Sequence, residues 1–115
     1  MKLKIPEREI QKTILGYLKY KKIYCVRVGS GAIKFDNRYF KSGSVGCPDI
    51  ICCLPPNGRF IGFEVKSSTG KPNASQIKAG EEIKASGGVY AVVRSVEDVE
   101  KVLNQCSASN FNSCI

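Results

Sequence analysis

The amino-acid sequence predicts a single α/β domain, with a mixed β-sheet flanked by helices on both faces. Helical and strand-like patterns alternate along the chain in the order αβ(β)ββαβα, with short connections between them. A strand–helix–strand segment over 60–95 matches a right-handed crossover, which would make its two strands parallel. The chain has 115 residues, of which 43% are hydrophobic, and this suits one compact core. We therefore assign residues 1–106 to one domain and expect 107–115 to be a flexible tail.

The first half of the chain begins with a predicted amphipathic helix over 7–20. Its apolar residues recur at helical spacing, namely Ile10, Ile14, Tyr17 and Leu18. Residues 23–28 are β-branched and aromatic, which indicates a strand. The segment 29–47 is rich in glycine, serine, basic and aromatic residues. We interpret it as a functional loop, with a short strand within 33–40 as the alternative.

The second half begins with two apolar runs, 48–54 and 60–66, joined by a turn sequence containing Pro and Asn-Gly. This pattern predicts an antiparallel hairpin. Neither run alternates cleanly, so both faces of these strands are expected to be covered. A helix over 74–86 should end at the Gly87-Gly88 pair. A buried strand over 89–95 and a final helix to about Gln105 complete the sheet and its outer layer.

Charge and composition restrict the classes of partner. The net charge is +8, from 18 basic against 10 acidic residues, which favours a polyanion such as nucleic acid. A merely well-solvated surface explains the charge equally well. No apolar run approaches the roughly 20 residues of a membrane span, and the first residues lack the pattern of a secretory signal. We expect a cytoplasmic protein with no membrane partner.

The six cysteines include no C-x-x-C pair, and the chain has no histidine. A zinc site is therefore not expected. Cys25, Cys52 and Cys53 lie inside apolar runs, where a reduced cysteine acts as a small buried hydrophobe.

Three charged residues stand at the open end of the predicted hairpin. If Pro55 to Gly58 form the loop, counting along both strands places Asp49 directly opposite Glu64, with Lys66 on the same face. Two opposed carboxylates repel unless a positive charge lies between them, and Mg²⁺ or a lysine supplies one. The alternative is a strand-end salt bridge between Lys66 and the two acids.

Two helices bring further polar residues to core-facing positions. At about 100° per residue, Glu7 and Gln11 continue the apolar stripe of the first helix, whereas Glu9 faces water. A polar pair in that stripe is costly unless it borders a cleft. Gln76 lies in the first turn of the second helix and shares a face with Gly80 and Ile83. A simple helix-capping role is the alternative for Gln76.

These residues, in this order, resemble the VRR-NUC domain of the PD-(D/E)xK nuclease superfamily over about residues 7–103. The matching pieces are EREIQ at 7–11, GCPDI at 46–50, EVK at 64–66, SQ at 75–76 and GGVYAVVRSVEDV at 87–99. The resemblance implies a restriction-endonuclease-like fold and phosphodiester hydrolysis dependent on Mg²⁺, with Mn²⁺ as a substitute. Cys47 departs from the pattern, because a smaller residue usually precedes the Pro-Asp pair.

Carried over position by position, the resemblance assigns a role to each site residue. Asp49, Glu64 and the Val65 carbonyl would ligate the metal, and Lys66 would be the catalytic lysine. Glu7 would be the helix acid that supports the site, and Gln76 would orient Lys66 or the attacking water.

Short stand-alone relatives of this type resemble phage or bacterial enzymes that resolve Holliday junctions. The resemblance therefore implies branched DNA, with four-way junctions first, and a homodimer in a bacterial or phage-infected cell. The alternatives are a flap, splayed-arm or general DNA nuclease, a restriction enzyme, and a non-catalytic DNA-binding module. The alternative for the basic residues around the site is an ordinary solvated loop. Otherwise we expect them to contact the DNA backbone: Arg27, Lys34, Arg38, Lys41 and Lys71.

Overall fold

A computed structural model describes residues 4–28, 32–35, 38–41 and 46–113, with backbone alone for 32–35, 38–41 and 108–113. The elements in chain order are α1 (Glu7–Tyr20), β1 (Tyr24–Arg27), β2 (Ala32–Phe35), β3 (Arg38–Lys41), β4 (Ile50–Leu54), β5 (Arg59–Val65), α2 (Ala74–Ala85), β6 (Val89–Val93) and α3 (Val96–Ser113). The main sheet has the strand order β1-β4-β5-β6. Its first three strands are antiparallel, and β6 runs parallel to β5. The predicted mixed α/β sheet is confirmed.

The two faces of the main sheet carry different helices. On one face, Ile14 and Leu18 of α1 and Val99 of α3 are fully buried with Phe63 of β5 in the hydrophobic core. Side chains alternate along a strand, so Gly62 and Glu64 point to the opposite face. There they lie beneath α2, whose Ile83 approaches Gly62. Glu64 is thus buried away from the main core.

The β4–β5 hairpin has the register expected from the sequence. Leu54 pairs with Arg59 and Ile50 with Phe63, so a four-residue loop connects the strands. The Gly58 N–H donates a hydrogen bond to the Leu54 carbonyl at 2.9 Å and closes this loop. The register fixes which polar residues meet at the open end of the hairpin.

The backbone on either side of the 29–45 segment is anchored beside the start of β4. The Val28 N–H donates a hydrogen bond to the Asp49 carbonyl at 2.8 Å. At the other end, Gly46 has φ +81°, and a methyl group placed on it would lie 2.3 Å from the Ser75 carbonyl oxygen. Neither the backbone angle nor the space admits a side chain at Gly46.

Three expectations need correction. Residues 32–35 and 38–41 are not loop: as the alternative of a short strand implied, β-structure forms here, and β2 and β3 make their own two-stranded antiparallel sheet rich in β-branched and aromatic residues. Helix α3 continues past Gln105 to Ser113, since no proline or glycine interrupts it. Cys53 is exposed rather than buried, because β4 turns it away from the core and α2 does not cover it. The domain boundary at 106 and the flexible tail remain predictions.

No helix in the described part of the chain combines the length and the apolar character needed to cross a membrane. Cys25, Cys52, Cys53 and Cys106 are free thiols. Cys52 lies in the core, where burial raises the pKa of its thiol to about 12.

Candidate functional site

Two carboxylates meet at the open end of the hairpin. Asp49 lies one residue before β4, and the register of the two strands carries it opposite Glu64. Its Oδ2 accepts a hydrogen bond from the Val65 N–H at 2.8 Å. Glu64 is 1% exposed, and its Oε2 accepts a hydrogen bond from the Gln76 side-chain amide at 2.9 Å. Among the described residues, Glu64 Oε1 is buried without a hydrogen-bond partner.

The electrostatics of Glu64 follow from this arrangement. The pKa of Glu64 is raised to about 8, mainly by burial and then by the hydrogen bond and charge of Asp49 and the charge of Glu7. The charge of Lys66 acts in the opposite direction and lowers the pKa of Glu64. Two carboxyl groups this close cannot both be ionised at low cost. One proton or one cation must therefore lie between them.

Gln76 caps the second helix and also contacts Glu64. The side-chain oxygen Oε1 of Gln76 accepts a hydrogen bond from the backbone N–H of Asn73 at 2.9 Å. The backbone N–H of Gln76 in turn donates to the side-chain oxygen Oδ1 of Asn73 at 3.0 Å. This capping box begins α2. The side-chain amide nitrogen remains available and binds Glu64. The start of the helix thereby fixes one oxygen of the buried acid, while a role toward Lys66 or a water stays a prediction.

Lys66 and Glu7 approach the acid pair from two other elements. The Lys66 N–H donates a hydrogen bond to the Val93 carbonyl at 3.0 Å, which extends the β5–β6 ladder by one residue. Glu7 is half-buried at the start of α1, whereas Glu9 is exposed, so the predicted helix face is confirmed. A methyl group placed on Gly70 would lie 3.3 Å from Glu7 Oε2 and 3.5 Å from Lys66 Cδ. The turn that contains Gly70 thus lies beside both side chains.

The residues predicted to contact DNA have different surroundings. Arg27 is exposed at the end of β1, and its Nε donates a hydrogen bond to Gln11 Oε1 at 3.0 Å. It pairs with Ile50, which places it near Asp49 at the same end of the sheet. Lys71 is exposed in the loop before α2. The other three predicted residues lie on β2 and β3, where the structure describes only the backbone: Lys34, Arg38 and Lys41.

The acid pair fits a hard divalent cation. Glu64 Oε1 is a buried carboxyl oxygen without an N–H donor among the described residues, and its carboxyl group interacts with that of Asp49. Mg²⁺ binds through one or two carboxylates and completes its shell with water and substrate oxygens. The described residues contain no group of three Cys, His, Asp or Glu side chains able to hold a metal. The carboxyl groups of Asp49 and Glu64 are therefore the side-chain donors on which we base the metal site, and the Val65 carbonyl as a further ligand stays a prediction.

Sequence reasoning missed two residues of this region. The Tyr90 hydroxyl is buried without a hydrogen-bond partner among the described residues, and burial with the charges of Glu64 and Asp49 raises its pKa to about 12. Arg94 bonds to the turn that contains Gly70. The sequence could have indicated Tyr90 through the predicted parallel pairing of β5 and β6. This pairing places Tyr90 beside Gly62, on the face of the sheet that carries Glu64.

A solved structure titled "VRR_NUC domain" is similar to this chain. The two superpose with a TM-score of 0.62 at 23% sequence identity, over 85% of this chain and 94% of the other. No family model matches the sequence. No curated protein matches it either. The chain therefore has a VRR-NUC-like fold, as its motifs predict.

Proposed function

We propose that this VRR-NUC-like chain is a divalent-metal-dependent DNA endonuclease. Its active site, which would hydrolyse phosphodiester bonds of DNA, contains Asp49 and Glu64. The observation that carries the proposal is the buried Glu64 carboxyl, which interacts with the Asp49 carboxyl and whose Oε1 accepts no hydrogen bond from an N–H donor of the described residues. A buried pair of carboxyl groups destabilises the folded protein unless an opposite charge or a hydrogen-bond donor compensates each buried charge. A cation between the two acids provides both the compensation and the chemistry.

Each residue of the site has a defined task in this mechanism. Asp49, Glu64 and the Val65 carbonyl would hold Mg²⁺, or Mn²⁺ in its place. A bound ion of this kind polarises a phosphoryl oxygen and lowers the pKa of a coordinated water. The Val65 N–H and the Gln76 amide each fix one carboxylate oxygen, so that the remaining oxygens keep their direction. The Lys66 ammonium would position the attacking water and stabilise the charge that develops on the phosphate.

The decisive experiment compares three alanine variants with a matched control. Asp49→Ala, Glu64→Ala and Lys66→Ala should each nearly abolish cleavage of labelled branched DNA while leaving DNA binding in place. Glu9→Ala removes an exposed acid from α1 and should cut normally. Excess EDTA should stop the wild-type reaction. Full cleavage by Asp49→Ala, or in EDTA, would refute the assignment, and binding without any cleavage would favour the non-catalytic module.

The substrate proposed is branched DNA, with four-way junctions preferred. The net charge of +8 favours a polyanion, and contacts from Arg27, Lys71 and the basic residues of β2 and β3 would go to phosphates. Phosphate contacts carry little sequence information, so the shape of the DNA is the feature selected. A junction has near two-fold symmetry and needs two nicks, whereas one domain carries one acid pair. A homodimer with C₂ symmetry supplies two sites.

The α2 side of the main sheet offers an apolar surface for that dimer. Tyr24, Val26 and Phe60 are 72%, 44% and 39% exposed. Tyr24 and Phe60 flank Cys53 across the strands, on the part of the face that α2 leaves open. An uncharged, aromatic surface suits the centre of a protein–protein contact and not a phosphate backbone. We place the contact with the second copy here.

Light scattering on wild type and two matched variants tests the dimer. Wild type should have about twice the 12.6 kDa monomer mass. Tyr24→Lys should produce a monomer that no longer makes paired nicks, whereas Tyr20→Lys, at a site 76% exposed on α1, should remain dimeric. Junction, flap, splayed-arm and duplex DNA are compared in Mg²⁺. A wild-type monomer that prefers flaps would overturn the junction assignment and support the flap-cutting alternative.

A further inference from the structure

Arg94 ties together two segments that are distant in sequence. It directly follows β6, and its Nη1 donates hydrogen bonds to the carbonyl oxygens of Ser67 and, at 2.7 Å, of Gly70. Its backbone N–H donates to Asp98 Oδ2 at 2.9 Å, in the first turn of α3. The Gly70 N–H donates to the Ser67 carbonyl at 3.2 Å and closes the turn over residues 67–70. One half-buried guanidinium thus holds both ends of this 67–70 turn.

The 67–70 turn forms a wall of the candidate site. Ser67 is buried, and a methyl group placed on Gly70 would lie 3.3 Å from Glu7 Oε2 and 3.5 Å from Lys66 Cδ. The backbone of Lys66 is already fixed by its hydrogen bond to Val93. The turn therefore borders the Lys66 side chain and the Glu7 carboxyl group, and its position sets the space open to both.

We propose that Arg94 is a positioning residue, which restrains the Lys66 amine by clamping the 67–70 turn against its aliphatic stem. The part of this inference that concerns catalysis rests on the proposed nuclease function. Arginine suits the task because the two N–H bonds of Nη1 are fixed in the guanidinium plane and reach both carbonyl oxygens. A lysine at this position keeps the charge, but its ammonium group rotates about a flexible stem. No role in binding the metal or the DNA is needed for this effect.

The first arm of the test needs no DNA and no activity. Arg94→Ala and Arg94→Lys are compared with Lys101→Ala, which removes an equal charge from an exposed position on α3. Amide hydrogen exchange over 67–71 should be at least about tenfold faster in Arg94→Ala, because two charge-assisted hydrogen bonds are lost. Acetylation of the Lys66 amine, measured against Lys78, should also be several-fold faster. Both rates should be unchanged in Lys101→Ala.

The second arm measures cleavage. The single-turnover rate on a four-way junction should fall at least about tenfold in Arg94→Ala. Arg94→Ala should bind the DNA at least as tightly as Lys101→Ala does. Added methylguanidinium should partly restore the rate in Arg94→Ala and have no effect on Lys101→Ala. Arg94→Lys keeps the aliphatic stem for packing and should still cut slowly.

The outcomes separate the clamp from the nuclease. Unchanged exchange and unchanged Lys66 labelling in the Arg94 variants would overturn the proposal, and so would a loosened turn with an unchanged cleavage rate. Wild-type protein that cuts no DNA in Mg²⁺ would refute the proposed function. In that case the exchange and labelling rates still decide whether Arg94 restrains Lys66.

Discussion

Replacing Glu64 by glutamine in the metal-free protein tests the central claim about charge at the site. Glu64 is 1% exposed, one of its oxygens lacks a partner, and its neighbour is a second carboxyl. The amide of Glu64→Gln has nearly the same shape and no charge. Its oxygen can accept the hydrogen bond of Gln76, and its NH₂ group can donate to Asp49. We therefore expect Glu64→Gln to be more stable than wild type at alkaline pH.

The size of the effect follows from the raised pKa. The unfolded chain releases the Glu64 proton near the ordinary pKa of 4.5, whereas the folded protein keeps it up to about 8. The full stabilisation is therefore present below pH 4.5, the pKa of Glu64 in the unfolded chain. The free energy of unfolding then falls as the pH rises from 4.5 to about 8, the pKa of Glu64 in the folded protein. At about 1.4 kcal/mol per pH unit, the loss is at most about 5 kcal/mol. A coupled pair shares its proton, and we expect about 2 to 3 kcal/mol.

Urea unfolding in EDTA at about pH 5 and about pH 8 measures this difference. Wild type should lose stability between the two, Glu64→Gln should not, and Glu9→Gln should behave like wild type because Glu9 is exposed. Mg²⁺ at pH 8 should stabilise wild type and leave Glu64→Gln unchanged. A wild-type stability that is flat across this range, or a Glu64→Gln variant that is less stable than wild type at pH 8, would refute the reasoning.

Three further predictions concern other parts of the molecule. Glu7→Ala should slow cleavage about tenfold, as loss of a supporting group does, while Glu9→Ala stays within about twofold in the same assay. Equal damage from both changes would contradict the helix-face assignment. Gly80→Ala places a methyl group 2.5 Å from the Tyr90 ring and should lower the free energy of unfolding by about 1 to 3 kcal/mol. An unchanged thermal midpoint would show that the ring has room to move. DNA affinity should fall at least about tenfold between about 50 and 200 mM salt, and a flat titration would argue against phosphate contacts.

Local patterns were sufficient to predict the acid pair. The turn sequence between Leu54 and Arg59 sets the hairpin register, and a register is a rigid constraint that carries to the far end of both strands. Helical periodicity likewise selects Glu7 over Glu9 without any tertiary information. The capping alternative for Gln76 is confirmed, and the same side chain also donates a hydrogen bond to Glu64, because an amide has an acceptor end and a donor end.

The parts that sequence did not predict depend on composition or on long-range contacts. The glycine- and serine-rich composition around 32–41 favoured a loop over a strand, whereas β2 and β3 pair there as an antiparallel sheet. Arg94 is 24 residues from Gly70 and contacts it only because β6 runs parallel to β5. Such a contact follows from the sheet and not from any local pattern.

The anchoring of Val28 and Gly46 has a consequence for how relatives of this protein can diversify. Both anchors lie beside Asp49, one through the Asp49 carbonyl and the other against the start of α2. The chain between them can therefore be lengthened, shortened or exchanged while the acid pair keeps its geometry. The fold thus holds the acid pair on the main sheet, whereas β2 and β3 form a separate sheet between the two anchors. A substitution on β2 or β3 can therefore alter that second sheet without changing the hairpin register that brings Asp49 and Glu64 together.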